Sequence, residues 1–368
     1  MPERKIYRAM AVLAVLVLLV LILVYARPFL VPLTFAALLA MLLLPMVRGL
    51  ERKGVSRGIA CLAGVLSVMG VIALFIFFVT WQFSNFTDDA TKIEQQLTKK
   101  YQDVQGFISE KAGITPQKQQ QIIKEEQKSS PGRTGKMITG VLAGAGSLLA
   151  STVLVLVYIF LMLYYRDRLR RTLLRLVPGS EKRTAEEALG DIQQVTQKYL
   201  SGMALMIASL WVMYGIGFSI AGVKNALFFA VLCGVLEIIP FVGNITGTLL
   251  TAGMALVQGG DSNILIGILV TYGLVQFIQT YILEPLVVGS KVDINPLFTI
   301  IGIVAGEQLW GIPGMILAIP LVGIFKIVCD HVDALNPYGY LLGQDKKEDG
   351  GLTKKIKNLF KRKKDRES

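Results

Sequence analysis

Long charge-free apolar runs alternate with short basic connectors along this chain. The runs cover residues 9–26, 28–47, 58–87, 137–165, 199–223, 238–260 and 262–283. A last one spans 294–325 and is interrupted only by Glu307. About 20 apolar residues of helix cross the ~30 Å hydrocarbon layer of a bilayer. The pattern predicts an all-α polytopic membrane protein with about eight membrane-embedded segments. Arg4, Lys5 and Arg8 precede the first run as they would in a signal peptide, but no small-residue cleavage site follows. We read an uncleaved helix pair with a tight turn at Arg27-Pro28.

Basic residues near the helix ends set the orientation. Arg4, Lys5 and Arg8, then Arg48, Arg52, Lys53 and Arg57, then Arg166, Arg168, Arg170, Arg171 and Arg175 mark cytoplasmic segments. Six regions follow. Residues 1–87 form N-terminal transmembrane helices. Residues 88–136 form an extracytoplasmic helical insert, with Ile93, Leu97, Val104, Phe107 and Ile108 at helical spacing. Residues 137–165 form a transmembrane helix, and 166–200 a cytoplasmic amphipathic linker. Residues 201–329 form a C-terminal transport core, and 330–368 a basic tail. Both termini are expected in the cytoplasm of a bacterial cell, with the tail near anionic lipid.

Composition narrows the class. Hydrophobic residues make up 53% and charged residues 17% of the 368, against about 25% charged in a soluble domain. That excludes a soluble globular protein and an intrinsically disordered chain. The net charge of +12 is then a topology signal, not a nucleic-acid footprint. Cys61, Cys233 and Cys329 lie in or beside apolar runs and form no disulfide pattern. There is no phosphate-binding Gly-x-x-x-x-Gly-Lys-Ser/Thr loop, no His-Glu-x-x-His zinc site and a single histidine, His331. The sequence therefore suggests neither an enzyme nor a cofactor.

Unusual residues gather between Gly202 and Ile324, which hold 18 of the 36 glycines. Two apolar blocks there share a design. The block 226–257 is interrupted at Pro240, Phe241, Gly243 and Asn244; the block 297–328 is interrupted at Gly311, Pro313 and Gly314. Proline removes a helical hydrogen bond and glycine tolerates non-helical backbone. Each arm is too short to cross the core alone, which predicts two re-entrant hairpins, each following one uninterrupted helix in an inverted repeat. Two long kinked spans are the alternative. Paired broken segments point to a transporter site. Acids at membrane depth are costly and mark ion or proton paths. Glu237 precedes the first break, Glu307 the second, and Glu284 adjoins Pro285, which makes them the ion-coupling candidates. Asn244, Gln276 and Gln279 add neutral polar contacts, and Gly243/Gly247 allow close helix approach.

These residues resemble the AI-2E transporter family. The likeness rests on Glu237 through Gly247, on Glu284-Pro285 through Gly289, on Asn295-Pro296-Leu297, and on Gly306 and Leu309 through Gly314. It closes with Ala318 to Leu321. Relatives carry an acid a few residues before the Glu-Pro pair, where this chain has Gln279. The resemblance implies export of a small polar solute such as autoinducer-2, coupled to an ion gradient. Some relatives are described as sodium or lithium/proton antiporters, which makes that activity the nearest alternative. A third reading is a non-transporting membrane scaffold working through its insert and tail. The expected partners are a small polar solute, a monovalent cation or proton, membrane lipid and further copies of the chain, with no nucleic acid.

Overall fold

The computed structural model describes residues 2–87, 133–240, 242–288 and 294–344, and these are helical nearly throughout. The helices are α1 (Pro2–Tyr25), α2 (Arg27–Arg52), α3 (Arg57–Thr87), α4 (Arg133–Tyr164), α5 (Arg166–Leu176) and α6 (Lys182–Ile220). They continue with α7 (Ala226–Leu236), α8 (Val242–Val257), α9 (Ser262–Ile278), α10 (Pro296–Trp310), α11 (Ile312–His331) and α12 (Asn336–Leu342). Most of the insert, residues 88–132, lies outside the described residues. So do residues 289–293 and the residues from 345 onward.

Five helices are long and apolar enough to span a bilayer: Arg27–Arg52, Arg57–Gln82, the helix ending at Ile220, Ser262–Glu284 and Ile312–His331. A sixth is counted if Leu149–Tyr164 and Arg166–Leu176, bent by 72° at Tyr165, form one span. The chain is thus a multi-pass membrane protein. The remaining apolar helices, Met10–Tyr25, Ala226–Leu236, Val242–Val257 and Pro296–Trp310, are shorter. The difference from the expected eight segments comes from these short pieces.

The turn at Arg27-Pro28 is a kink centred on Ala26, which still accepts from the amides of Phe29 and Leu30 at 3.0 and 2.8 Å. Proline at the start of a helix removes an amide that would lack a partner anyway. The amphipathic stretch 180–198 and the apolar helix after it are one helix, the 39-residue α6. Lys198 marks a change of solvent, not a helix end. At 1.5 Å per residue α6 is ~58 Å long, well beyond the ~30 Å apolar layer.

Two cores hold the bundle. Ala36, Ala40 and Val47 of α2 pack with Ala60 and Cys61 of α3 and with Ile159 and Leu163 of α4. Leu210, Tyr214 and Phe218 of α6 pack with Phe229, Ala230 and Cys233 of α7, with Ala255 of α8 and with Ile268 and Val275 of α9. Small residues recur at both contacts because, in lipid, helices associate through close packing and not through a hydrophobic drive. All three cysteines are buried and free. Along α1 the apolar side chains from Met10 to Ile22 are exposed, as a lipid-facing helix requires.

Both interrupted blocks fold back on themselves. In the first, Gly247 of α8 lies against Cys233 of α7, where an added Cβ would come within 2.9 Å of the sulfur. In the second, Gly302 and Gly306 of α10 face Val322 and Gly314 of α11. Each block is therefore an antiparallel helical hairpin, and neither is a single kinked helix. Among the described residues α6 packs on both hairpins, while the hairpins pack little on each other.

Candidate functional site

The tip of the α7–α8 hairpin carries the densest polar cluster in the apolar part of the chain. The helix ends at Leu236 and a short turn through Pro240 leads to α8. The amide of Val242 donates to the Pro240 carbonyl at 2.7 Å, and that of Gly243 to Ile239 at 3.0 Å. Gly243 rests on the Leu236 carbonyl, where any Cβ would overlap the oxygen. Glycine there lets the chain reverse tightly, so that Glu237 and Asn244 both stand at the tip of the hairpin.

The opposite wall comes from the end of α9. Its α-helical bonding passes into a π-helical stretch, Gln279–Val288. A π turn inserts a residue's worth of rotation, and such turns often occur at functional sites. Here Gln279 is buried, and its Nε2 donates to Glu237 Oε1 at 2.7 Å. One turn earlier, Gln276 accepts from Asn244 Nδ2 and donates to Thr280 Oγ1, the latter at 3.1 Å. Tyr214 of α6 donates its hydroxyl to Asn244 Oδ1 at 3.1 Å. Thr251 returns its hydroxyl to the Gly247 carbonyl at 2.8 Å. Two hydrogen-bonded groups thus meet here: Tyr214 of α6, Asn244 of α8, Gln276 of α9 and Thr280 of the π stretch in one, and Glu237 at the end of α7 with Gln279 of the π stretch in the other.

The second group is incomplete on the acceptor side. Glu237 Oε2 and Gln279 Oε1 are both buried without a hydrogen-bond partner among the described residues. They belong to two side chains already joined by a hydrogen bond, so both free oxygens lie in one small region. A buried acceptor without a donor costs ~1–3 kcal/mol, and more when charged. A proton on the carboxyl or a cation between the oxygens would remove that cost. Trp211 Nε1 and Thr248 Oγ1 are buried without a partner nearby; the Trp211 indole lies against Gly234, on the turn of α7 just before Glu237.

The structure therefore brings together Glu237, Pro240, Gly243, Asn244, Gly247, Gln276 and Gln279. Glu284, farther along the π stretch, is exposed. Glu307, Gly311, Pro313 and Gly314 sit at the other hairpin tip. Glu307 is exposed, and among the described residues its side chain accepts only from the adjacent Gln308, at 3.2 Å. The expectation of one site between the two breaks thus becomes two separate tips, of which only the first is polar inside. Tyr214 and Thr280 complete the first network but are not evident from sequence. An intramembrane tyrosine whose hydroxyl needs a partner is the one signal that points to Tyr214. Among the described residues no group of three His, Cys, Asp or Glu could hold a metal ion.

Comparison with known proteins agrees with this architecture. The sequence profile described as AI-2E family transporter matches residues 13–334. "Putative transport protein YrrI" of Bacillus subtilis is 24% identical over 316 residues, covering 82% of this chain and 86% of that protein. "Putative transport protein MT0215" of Mycobacterium tuberculosis is 25% identical over 338 residues, covering 90% of each. "Putative permease PerM" of Escherichia coli is 25% identical over 193 residues, covering 52% of this chain and 54% of that protein. A match over most of the length, on a multi-pass helical bundle, places this chain in the AI-2E transporter family.

Proposed function

We propose that this membrane transporter is a secondary exporter of a small polar solute, autoinducer-2 being the family-implied candidate. Flux is coupled to an ion gradient through the tip of the α7–α8 hairpin. The observation that carries the reading is the hydrogen-bonded pair of half-buried Glu237 and buried Gln279, each with one buried oxygen that has no donor among the described residues. An ion-coupling carboxylate needs an oxygen that fixed protein donors do not hold, so that a proton or cation can bind it. The hairpins enter the membrane from opposite faces as re-entrant elements, completing about eight embedded segments, with both termini cytoplasmic. The first hairpin supplies the ion site. The second, closed by glycine contacts, supplies a rigid opposing element.

The test is gradient-driven flux in proteoliposomes containing the full chain. Glu237→Gln is expected to abolish coupling, and Glu307→Gln to leave it intact. Flux undiminished in Glu237→Gln sinks the carboxylate mechanism.

A second reading, a sodium or lithium/proton antiporter, draws on the same two oxygens, which suit a small monovalent cation. A pH-sensitive dye inside the vesicles separates the two. Proton movement on adding sodium or lithium, with no solute present, favours the antiporter; silence with both cations removes it.

A further inference from the structure

The bundle's basic end contains a cavity that the proposed transport path does not use. It has a volume of about 510 Å³ and lies between the end of α2, the α4–α5 bend and the first turns of α6. Its walls are apolar, with Ala40, Leu44, Leu173 and Leu189 among the lining residues. Its charged lining holds Arg48, Arg166 and Arg170 beside Asp167; Arg170 also pairs with the exposed Glu186 at 3.6 Å. Asp167 is itself engaged by Arg57 at 2.7 Å. Arg166 is tied to Glu51 through Nη2 and lies 3.8 Å from Asp167 Oδ1 through Nε; among the described residues its Nε and Nη1 are buried without a hydrogen bond, as is Glu51 Oε1. Buried donors on a cation, in an otherwise apolar cavity, call for an anionic acceptor.

The surroundings say what kind of anion. Helix α5 has no buried residues. Leu169, Leu173 and Leu176 form one exposed stripe, and Arg168, Arg171 and Arg175 lie on another face. That is the pattern of a helix lying in the headgroup plane. It meets α4 at 72°, as a surface helix meets a spanning one. The cavity therefore opens where acyl chains give way to headgroups, and its size is typical of a ligand pocket, about 300–1,000 Å³.

We propose that this cavity binds one anionic glycerophospholipid. Its phosphate sits among Arg48, Arg166 and Arg170, and an acyl chain runs along Ala40, Leu44 and Leu173. Basic pockets between transmembrane helices on the cytoplasmic side hold anionic headgroups in this way. Placing the lipid in the cytoplasmic leaflet rests on the orientation proposed above; binding itself does not, and it is measured without a gradient.

The experiment uses the purified full chain in neutral detergent, titrated with phosphatidylglycerol, phosphatidylcholine or glycerol phosphate. It is followed by native mass spectrometry and by the thermal midpoint. Phosphatidylglycerol is expected to give a retained one-lipid adduct and a raised midpoint, and the other two are not. Arg48 and Arg170 are exposed, so Arg48→Gln with Arg170→Gln should fold normally. It should weaken phosphatidylglycerol binding ~25-fold, at roughly fivefold for each guanidinium. Arg168→Gln with Arg175→Gln, on the same helix but outside the cavity, should weaken it by less than about fivefold. Gly190→Leu is a second cavity variant. A Cβ there meets nothing within 4 Å, so the side chain fits and intrudes on the acyl path with every arginine kept. Equal binding of phosphatidylcholine overturns the proposal in favour of unspecific annular lipid. Equal binding of glycerol phosphate overturns it in favour of a soluble anion. Equal losses in the two arginine pairs, or unchanged affinity in both cavity variants, also overturn it.

Discussion

The two hairpins have the same sequence grammar and different interiors. Each is a pair of apolar helices broken by glycine and proline, with a glutamate within one turn of the break. In α7–α8 the turn places Asn244 against side chains of α6 and α9 and Glu237 against one of the π stretch, and the tip is polar. In α10–α11 the reversal is made by Gly311 at φ +65°, ψ −144°, a region open almost only to glycine. There the backbones of Gly306 and Gly314 touch, which leaves no room for polar side chains between the arms. Glu307 points outward. A glutamate beside a broken helix thus carries chemistry only when a neighbouring element supplies a donor.

The comparison can be broken most severely at the backbone contact. Gly314→Ala forces a methyl group into the Gly306 carbonyl, and overpacking of this kind costs ~1–3 kcal/mol or more. We expect loss of folded protein, read as the monodisperse fraction in detergent. Gly253→Ala, where a Cβ meets nothing within 4 Å, should behave as wild type. The same loss in both would show that the glycine contact is unimportant.

The next effect separates the two acids. Gln279→Leu strips Glu237 of its only side-chain donor among the described residues and should lower stability by ~1–3 kcal/mol. Gln308→Leu, beside the exposed Glu307, should stay within about 0.5 kcal/mol. Thermal midpoints at neutral pH in one detergent measure both, and equal shifts would erase the distinction. Tyr214→Phe, which removes one hydrogen bond to Asn244, should cost about 0.5–1.5 kcal/mol. No change at all would mean that the hydroxyl finds its partner elsewhere.

The smallest expected effect lies outside both hairpins and serves as a baseline. Burial alone disfavours the charged form of Asp167, but the Arg57 hydrogen bond and charge prevail and hold its carboxyl below the ordinary range. Such a group stabilises above its unfolded pKa, about 3.9. The contribution is lost as pH falls through the lower folded value. Asp167 is half exposed, so solvent and salt weaken the pair. A slight drop in thermal midpoint toward pH 3 is expected, reduced in Arg57→Gln and at high salt. A drop of equal size in that variant would assign it to other carboxylates.

Much of this was legible in the sequence, for identifiable reasons. Helix positions followed from charge-free runs, because a bilayer penalises charge wherever it falls. The two reversals followed from Pro240 and Gly311, because backbone sterics are local. What escaped was non-local. Nothing in the sequence ties Glu237 to Gln279, 42 positions away, since their meeting depends on the phase shift of the π stretch. Tyr214 hides in an apolar helix because its ring is as buried as a phenylalanine would be. The unity of α6 escaped because Lys198 and Gln197 signal a solvent boundary, which a helical backbone crosses without interruption.

Gln197 has one further consequence. Pro45 within α2 has no amide to offer the Met41 carbonyl, and Gln197 Nε2 reaches across from α6 to donate to it at 2.7 Å. The two partners are 156 positions apart in the chain. During synthesis α2 leaves the ribosome long before α6 exists, and hydrocarbon provides no substitute donor. Until the later helix arrives, ordered water or a local adjustment of the helix must serve the Met41 carbonyl. The hydrogen bond from Gln197 thus makes the finished form of α2 depend on a helix synthesised much later.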